Sequence, residues 1–189
     1  MIINNPQVFF AGDFVLQKLE PTIASAIAPV GVMFGSREEA PDNCDFIFVG
    51  DKNKNTIEIV DPQQQNTIKI KAESQSIEDA TAVVFASLYG AIYVGMDWCD
   101  IYQALSGGTE PVVYIGGVTK KELLQIKAKY ENAKGIFLYI KANTDATLDE
   151  GDKDVRECFD FLKPDVDFVW TLSFDKNLKD TTYYIFIKN

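Results

Sequence analysis

The sequence predicts an α/β (α+β) protein: a mixed sheet with helices packed on one face, preceded by an α/β portion and a buried central helix. Three observations carry this. The composition, 47% hydrophobic and 12% aromatic over 189 residues, supplies a substantial core and excludes a disordered chain. The stretch from Ser76 onward is apolar nearly all round, with Val83, Val84, Phe85, Ala86, Leu88, Tyr89, Ala91 and Ile92 leaving no wide polar face. A helix of that kind is buried between layers. After it, the hydrophobic pattern reads strand, helix, strand, helix, strand, strand, an order that suits a sheet covered by helices on one face.

From the start of the chain, Val8 to Phe10 reads as a short strand. Phe14 to Ile27 has apolar residues at roughly helical spacing, but Pro21 sits in the middle, so a short or broken helix is expected. Val30 to Phe34 reads as a buried strand and Phe46 to Val49 as another. Thr56 to Val60 and Thr67 to Ile70 alternate about a polar connection of three glutamines, the pattern of a hairpin. Ser76 with Asp79 resembles a capping box that opens the central helix.

Helical spacing resumes at Ile101, Tyr102, Ala104 and Leu105 and stops at Ser106-Gly107-Gly108. Pro111 to Ile115 is a strand closed by Gly116-Gly117, and Thr119 to Asn132 is an amphipathic helix with a Thr119/Glu122 capping box. Gly135 to Ile140 is a strand. Leu148 to Leu162 is a helix with Val155, Cys158, Phe159 and Leu162 on one face, ended by Pro164. Val166 to Phe174 and Thr181 to Ile187 read as a closing antiparallel hairpin.

Charge and residue types narrow the chemistry. A net charge of −10 argues against a nucleic-acid or anionic-membrane surface. Histidine is absent and the three cysteines, Cys44, Cys99 and Cys158, form no C-x-x-C pair. The common zinc sites and any His-dependent relay are thereby excluded, and a reducing, cytoplasmic location is expected. No basic, apolar leader or membrane-spanning run is visible, so neither secretion nor direct membrane insertion is expected. Gly107-Gly108 and Gly116-Gly117 lack the context of a phosphate loop and read as turn and cap glycines. The acids from Asp145 to Asp154 fail the spacing of a calcium loop and read as helix-start acids. Asp97 and Asp100 are the sharper pair. They either open a helix, with Asp97 as N-cap, or lie on one face and position a water or a metal. Spacing alone favours the first.

Several segments resemble one family. Lys134-Gly-Ile-Phe-Leu-Tyr-Ile-Lys-Ala-Asn, Leu148-Asp-Glu, and Pro164-Asp-Val-Asp-Phe-Val-Trp-Thr-Leu-Ser-Phe-Asp-Lys-Asn-Leu-Lys-Asp resemble the C-terminal domain of the bacterial division protein FtsZ. Val94-Gly-Met-Asp-Trp-Cys-Asp is similar to that family's synergy loop, N-x-D-F-x-D, with Gly95 in the place of Asn. Asp45-Phe-Ile-Phe-Val-Gly-Asp is similar to its D-T-L-I-V-I-P strand. The likeness covers Asp45 to Ile187.

The resemblance implies a partial N-terminal α/β portion over residues 1–75, a central helix with a synergy-type loop over 76–105, and an FtsZ C-terminal-like domain over 106–189. The family's glycine-rich G-G-G-T-G-T/S-G loop does not occur, so the resemblance implies a chain that begins after it. It also implies no nucleotide site or other cofactor of its own and no autonomous GTPase activity. Asp97 and Asp100 are then candidate catalytic residues in trans, polarising the attacking water in a neighbour's nucleotide site. The implied partner is an FtsZ/tubulin-like protein or a second copy, in cell division or cytoskeletal organisation. Two other functions stay open: a scaffold that reuses the domain for an unrelated partner, and an independent enzyme built on the two acids.

Overall fold

The computed structural model describes residues 6–14, 16–24, 26, 30–73 and 75–189. They form a mixed α/β structure around one nine-stranded sheet, with five α-helices among the described residues. In chain order the strands are β1 (Gln7–Gly12), β2 (Gly31–Gly35), β3 (Phe46–Asp51), β4 (Thr56–Asp61), β5 (Asn66–Ala72), β6 (Val112–Val118), β7 (Gly135–Ala142), β8 (Asp167–Phe174) and β9 (Thr182–Lys188). The helices are α1 (Leu16–Ala24), α2 (Ile77–Tyr89), α3 (Trp98–Leu105), α4 (Lys120–Gln125) and α5 (Leu148–Phe159). Across the sheet the order is β2-β1-β3-β4-β5-β6-β9-β7-β8.

The first half follows the sequence closely. β1 pairs in parallel with both β2 and β3, while β3, β4 and β5 form an antiparallel meander. The expected hairpin is the β4–β5 pair. Its turn is fixed by the Asp61 carboxylate, which accepts from the backbone N–H groups of Gln63 and Gln64 at 3.0 Å each. Two elements differ from expectation. α1 runs unbroken through Pro21, which lies in the second turn of a short helix where only one backbone bond is lost; its expected end at Ile27 lies outside the described residues. β2 is a half-exposed edge strand, with Phe34 43% exposed, and not a buried one.

The second half differs in its connections. β8 and β9 do not form a hairpin: β7 lies between them, parallel to β8 and antiparallel to β9. Six successive residues of β7, Gly135 to Ile140, are buried. A strand with both faces covered is a central strand and takes a partner on each edge. The connection 175–181 is long enough to carry the chain past β7, whereas hairpins favour two to five residues.

The helices also cover both faces of the sheet. α4 and α5 pack on the face formed by Ile136, Leu138, Ile140, Tyr183, Ile185 and Ile187, so the two helices of the C-terminal part do share one side. α2 and α3 cover the opposite face, over Ile57, Ile59, Ile68, Ile70, Phe137 and Phe186. The alternation of β7 and β9 feeds both cores, because successive side chains of a strand point to opposite faces.

α4 is shorter than its periodicity predicts. Its Thr119/Glu122 capping box forms as expected, but the helix ends at Gln125 and a 3-10 turn follows at 127–129. The buried Tyr130 hydroxyl donates to the Leu123 carbonyl at 3.0 Å, taking the acceptor that one more α-helical turn would use. α5 ends at Phe159, three residues earlier than expected, and is opened by an unanticipated Thr147/Glu150 capping box.

Candidate functional site

Two sites bracket the buried helix α2, one at its start and one beyond its end at the head of α3. At its start, Ser76 caps the helix by accepting from the Asp79 N–H at 3.3 Å. The reciprocal half of the expected box does not form. The Asp79 carboxylate instead accepts from the Tyr114 hydroxyl of β6 at 2.5 Å. At its end, α2 stops at Gly90 and the chain crosses to α3. The crossing segment is fastened to the edge of β8. Tyr93 N–H donates to Leu172 O at 2.7 Å, Thr171 Oγ1 donates to Val94 O at 2.8 Å, and Ile92 bridges Ser173.

The two acids predicted from sequence lie at the head of α3, brought together in a full capping box. Asp100 N–H donates to Asp97 Oδ1 at 3.0 Å, and Asp97 N–H donates to Asp100 Oδ2 at 3.1 Å. Both residues are exposed. The box uses one oxygen of each carboxylate. Asp97 Oδ2 and Asp100 Oδ1 have no protein partner among the described residues and face solvent as acceptors. Trp98 anchors the turn from beneath, buried against Phe46 and Tyr102. Capping and presentation of acceptors are therefore compatible in one pair. Among the described residues, no group of three or more acidic or cysteine side chains is arranged to hold a metal ion.

The cluster that sequence reasoning missed lies beside the first turns of α2. An open cleft of about 570 Å³ separates α2 from β7–β9 and is bounded by Asp79, Ala86, Lys141, Ser173, Tyr184 and, from α1, Thr22. Burial pushes the Asp79 carboxyl above its ordinary range, against the Tyr114 hydrogen bond and the charges of Lys141 and Lys18. Tyr114 is itself raised by burial and by the Asp79 charge. Lys141 pairs with Asp175 at 2.8 Å, which holds the Asp175 carboxyl below its usual range. Tyr139 and Ser173 share a hydrogen bond of 2.7 Å.

The sequence signal for this cluster was the glycine pair after Tyr114. Gly116 and Gly117 do not close the strand. They lie inside β6, where the pairing with β9 slips between Ile115 and Val118. A Cβ at residue 116 would sit 2.1 Å from the Tyr114 hydroxyl oxygen and 3.0 Å from Asp79 Oδ2. Glycine within a strand marks a bulge or a close approach, and here it marks both.

On the opposite face, Lys120 at the start of α4 ion-pairs with Asp154 at 2.6 Å and with Glu157, both on α5. Tyr183 also donates to Asp154. Burial works against the Lys120 charge, yet the two hydrogen-bonded carboxylates hold its pKa up at about 12. This network braces α4 on α5.

No family model matches the chain, and no curated protein matches it. Among solved structures it is similar to FtsZ of M. jannaschii. With an FtsZ dimer described as empty, the TM-score is 0.47 at 17% identity, over 59% of this chain and 36% of that one. With a Trp-to-Tyr mutant of FtsZ the TM-score is 0.48 at 15% identity, over 60% of this chain and 37% of the other. The chain thus spans little more than a third of the length of these structures. Among the described residues, no helix is long and apolar enough to cross a membrane.

Proposed function

We propose that these 189 residues act as an FtsZ/tubulin-like assembly module that does not hydrolyse GTP by itself and that docks, through the acidic turn at Asp97 and Asp100, on a filament-forming relative. The observation that carries this reading is the turn itself. It is exposed, held by a reciprocal cap and strapped to β8, and it presents one unengaged carboxylate oxygen from each acid. Acceptors fixed in this way orient a water without a cost of reorganisation. The synergy-loop resemblance supplies the context, a neighbour's nucleotide site completed in trans.

The test uses a full-length FtsZ with its GTP hydrolysis followed in the presence and absence of the chain. The chain alone is expected to show no heat of GTP binding by calorimetry, to co-sediment with FtsZ filaments, and to change their hydrolysis rate. In a D97N/D100N variant each amide oxygen can still cap, while both charges are lost. That variant is expected to keep the wild-type melting temperature to within about 3 °C and to lose the effect on hydrolysis by about tenfold or more. An unchanged effect would transfer the function to another surface, and tight GTP binding by the chain alone would overturn the reading.

A further inference from the structure

We propose that Thr171 of β8 is a positioning residue for the acidic turn: its hydroxyl pins the crossing segment 91–97 to the sheet edge in the register that turns Asp97 outward. This role rests on the reading that the turn acts on a relative, and it supplies the element that aims it.

The crossing segment behaves as a short extra strand. Its residues alternate, with Ala91, Tyr93, Gly95 and Asp97 exposed and Ile92, Val94 and Met96 half-buried against the cores. Asp97 itself keeps an extended backbone, with φ −118° and ψ 177°. In an extended chain successive side chains point opposite ways, so a slip of one residue would turn Asp97 inward and Met96 out. The register of the segment therefore decides whether the carboxylate faces solvent.

Three contacts set that register. Ile92 pairs antiparallel with Ser173, and the Tyr93 N–H donates to the Leu172 carbonyl at 2.7 Å. At the next residue the pairing passes from backbone to side chain, where Thr171 Oγ1 donates to the Val94 carbonyl at 2.8 Å. Of the three, the hydroxyl is the contact nearest the acids. Its base is rigid, because Thr171 is in register with Tyr139 of the central strand β7. Thr171 is fully buried, so without this bond its hydroxyl would be left unpaired and away from water. Valine would fill nearly the same space and suits a strand as well, so the hydroxyl is needed only for the bond.

Asp97 thus lies between two anchors. Val94 is held by Thr171 on one side, and Trp98 is held against Phe46 and Tyr102 on the other. Between Val94 and the acids, Gly95 stands in open space: a Cβ there would meet nothing within 4 Å among the described residues. Loss of the Thr171 bond leaves the turn free to pivot about Trp98.

The experiment compares the wild type with Thr171→Val, which loses the bond, and Thr171→Ser, which keeps it. Amide hydrogen exchange is measured on the chain alone, and co-sedimentation and GTP hydrolysis are measured with full-length FtsZ. In T171V the protection of the Tyr93, Asp97 and Asp100 amides is expected to fall by about tenfold, the worth of one hydrogen bond, while protection in β7 and β8 is unchanged. Its effect on hydrolysis is expected to fall by about tenfold, with co-sedimentation kept to within about twofold, because orientation is lost and not the contact surface. T171S is expected to restore both. Unchanged protection at Asp97 and Asp100, a loss spread equally over β7 and β8, or a full hydrolysis effect in T171V overturns the proposal. If the wild-type chain itself leaves hydrolysis unchanged, the docking reading falls, and the exchange measurements alone decide whether Thr171 holds the turn. Should T171V fail to fold, the wild type answers. Its protection at Tyr93, Asp97 and Asp100 is expected to agree to within about threefold, as one opening unit, and a spread of about tenfold or more overturns the pin.

Discussion

Replacing Gly135 with alanine is expected to destabilise the protein by about 3 kcal/mol and to lower its melting temperature by roughly 6–12 °C. Gly135 is the first residue of β7, buried and paired on both sides, to Asp167 of β8 and Lys188 of β9. A methyl group there would lie 1.8 Å from the Ala104 carbonyl oxygen and 2.8 Å from the Lys188 side chain. The lysine can move aside. The carbonyl cannot, because it belongs to the last turn of α3 and Ala104 itself is fully buried. The end of α3 must lift from the sheet, and the Asp97/Asp100 turn at its other end must tilt with it. Gly151→Ala is the matched control. Its Cβ would meet Leu172 at 3.4 Å, an ordinary contact, inside helix α5. That change is expected to be neutral or to stabilise by about 0.5 kcal/mol. Thermal unfolding of the two variants checks the pair. A Gly135→Ala protein that melts within 2 °C of the wild type would show that α3 is not held by this contact.

This steric requirement was invisible in the sequence, where Gly135 is only the start of an apolar run. What the sequence displays well is local. The alternation of Thr56–Ile70 gives the hairpin, the all-round apolar surface of Val83–Leu88 gives the central helix, and Thr119 with Glu122 gives a cap. What it hides is non-local. The insertion of β7 between β8 and β9 depends on both faces of β7 being covered, a property shared with distant partners. A buried strand and a strand beside a hairpin share one apolar pattern, so periodicity cannot order them.

The candidate site divides in the same way. Asp97 and Asp100 were legible because capping is a three-residue relation, and the structure draws both carboxylates into the cap. Asp79 was legible only as a cap. Its partner Tyr114 lies 35 residues along the chain. The one written sign of that partnership was a glycine pair where a strand should have continued. Asp79 sits in the first turn of α2, whereas Asp97 and Asp100 open α3 beyond a crossing segment held on β8, so the two acid sites are positioned by different elements.

Phe186→Ala is expected to cost about 3–5 kcal/mol, the other large effect, and to act on more than the core. Phe186 lies on β9, in register with Tyr114 of β6 on one side and Phe137 of β7 on the other. The three rings form a row across the sheet. Phe186 is stacked on Phe137 with centroids 5.1 Å apart and planes at 14°, and tilted against Tyr114 at 4.7 Å. All three are fully buried on the α2 and α3 side. Truncation leaves a cavity under the strand that joins the two parts of the sheet, and it removes the ring that props Tyr114 toward Asp79. Phe186→Leu keeps most of the volume and is expected to cost less than about 1.5 kcal/mol. Because Tyr114 touches both Phe186 and Asp79, F186A and Y114F are expected to be non-additive in denaturant unfolding, with a coupling of about 0.5–3 kcal/mol. Additivity within about 0.5 kcal/mol would mean that the aromatic row and the Asp79 contact stand independently. Coupling would place the packing of the sheet's central strands and the seating of the central helix in one cooperative unit, with Tyr114 as the residue they share.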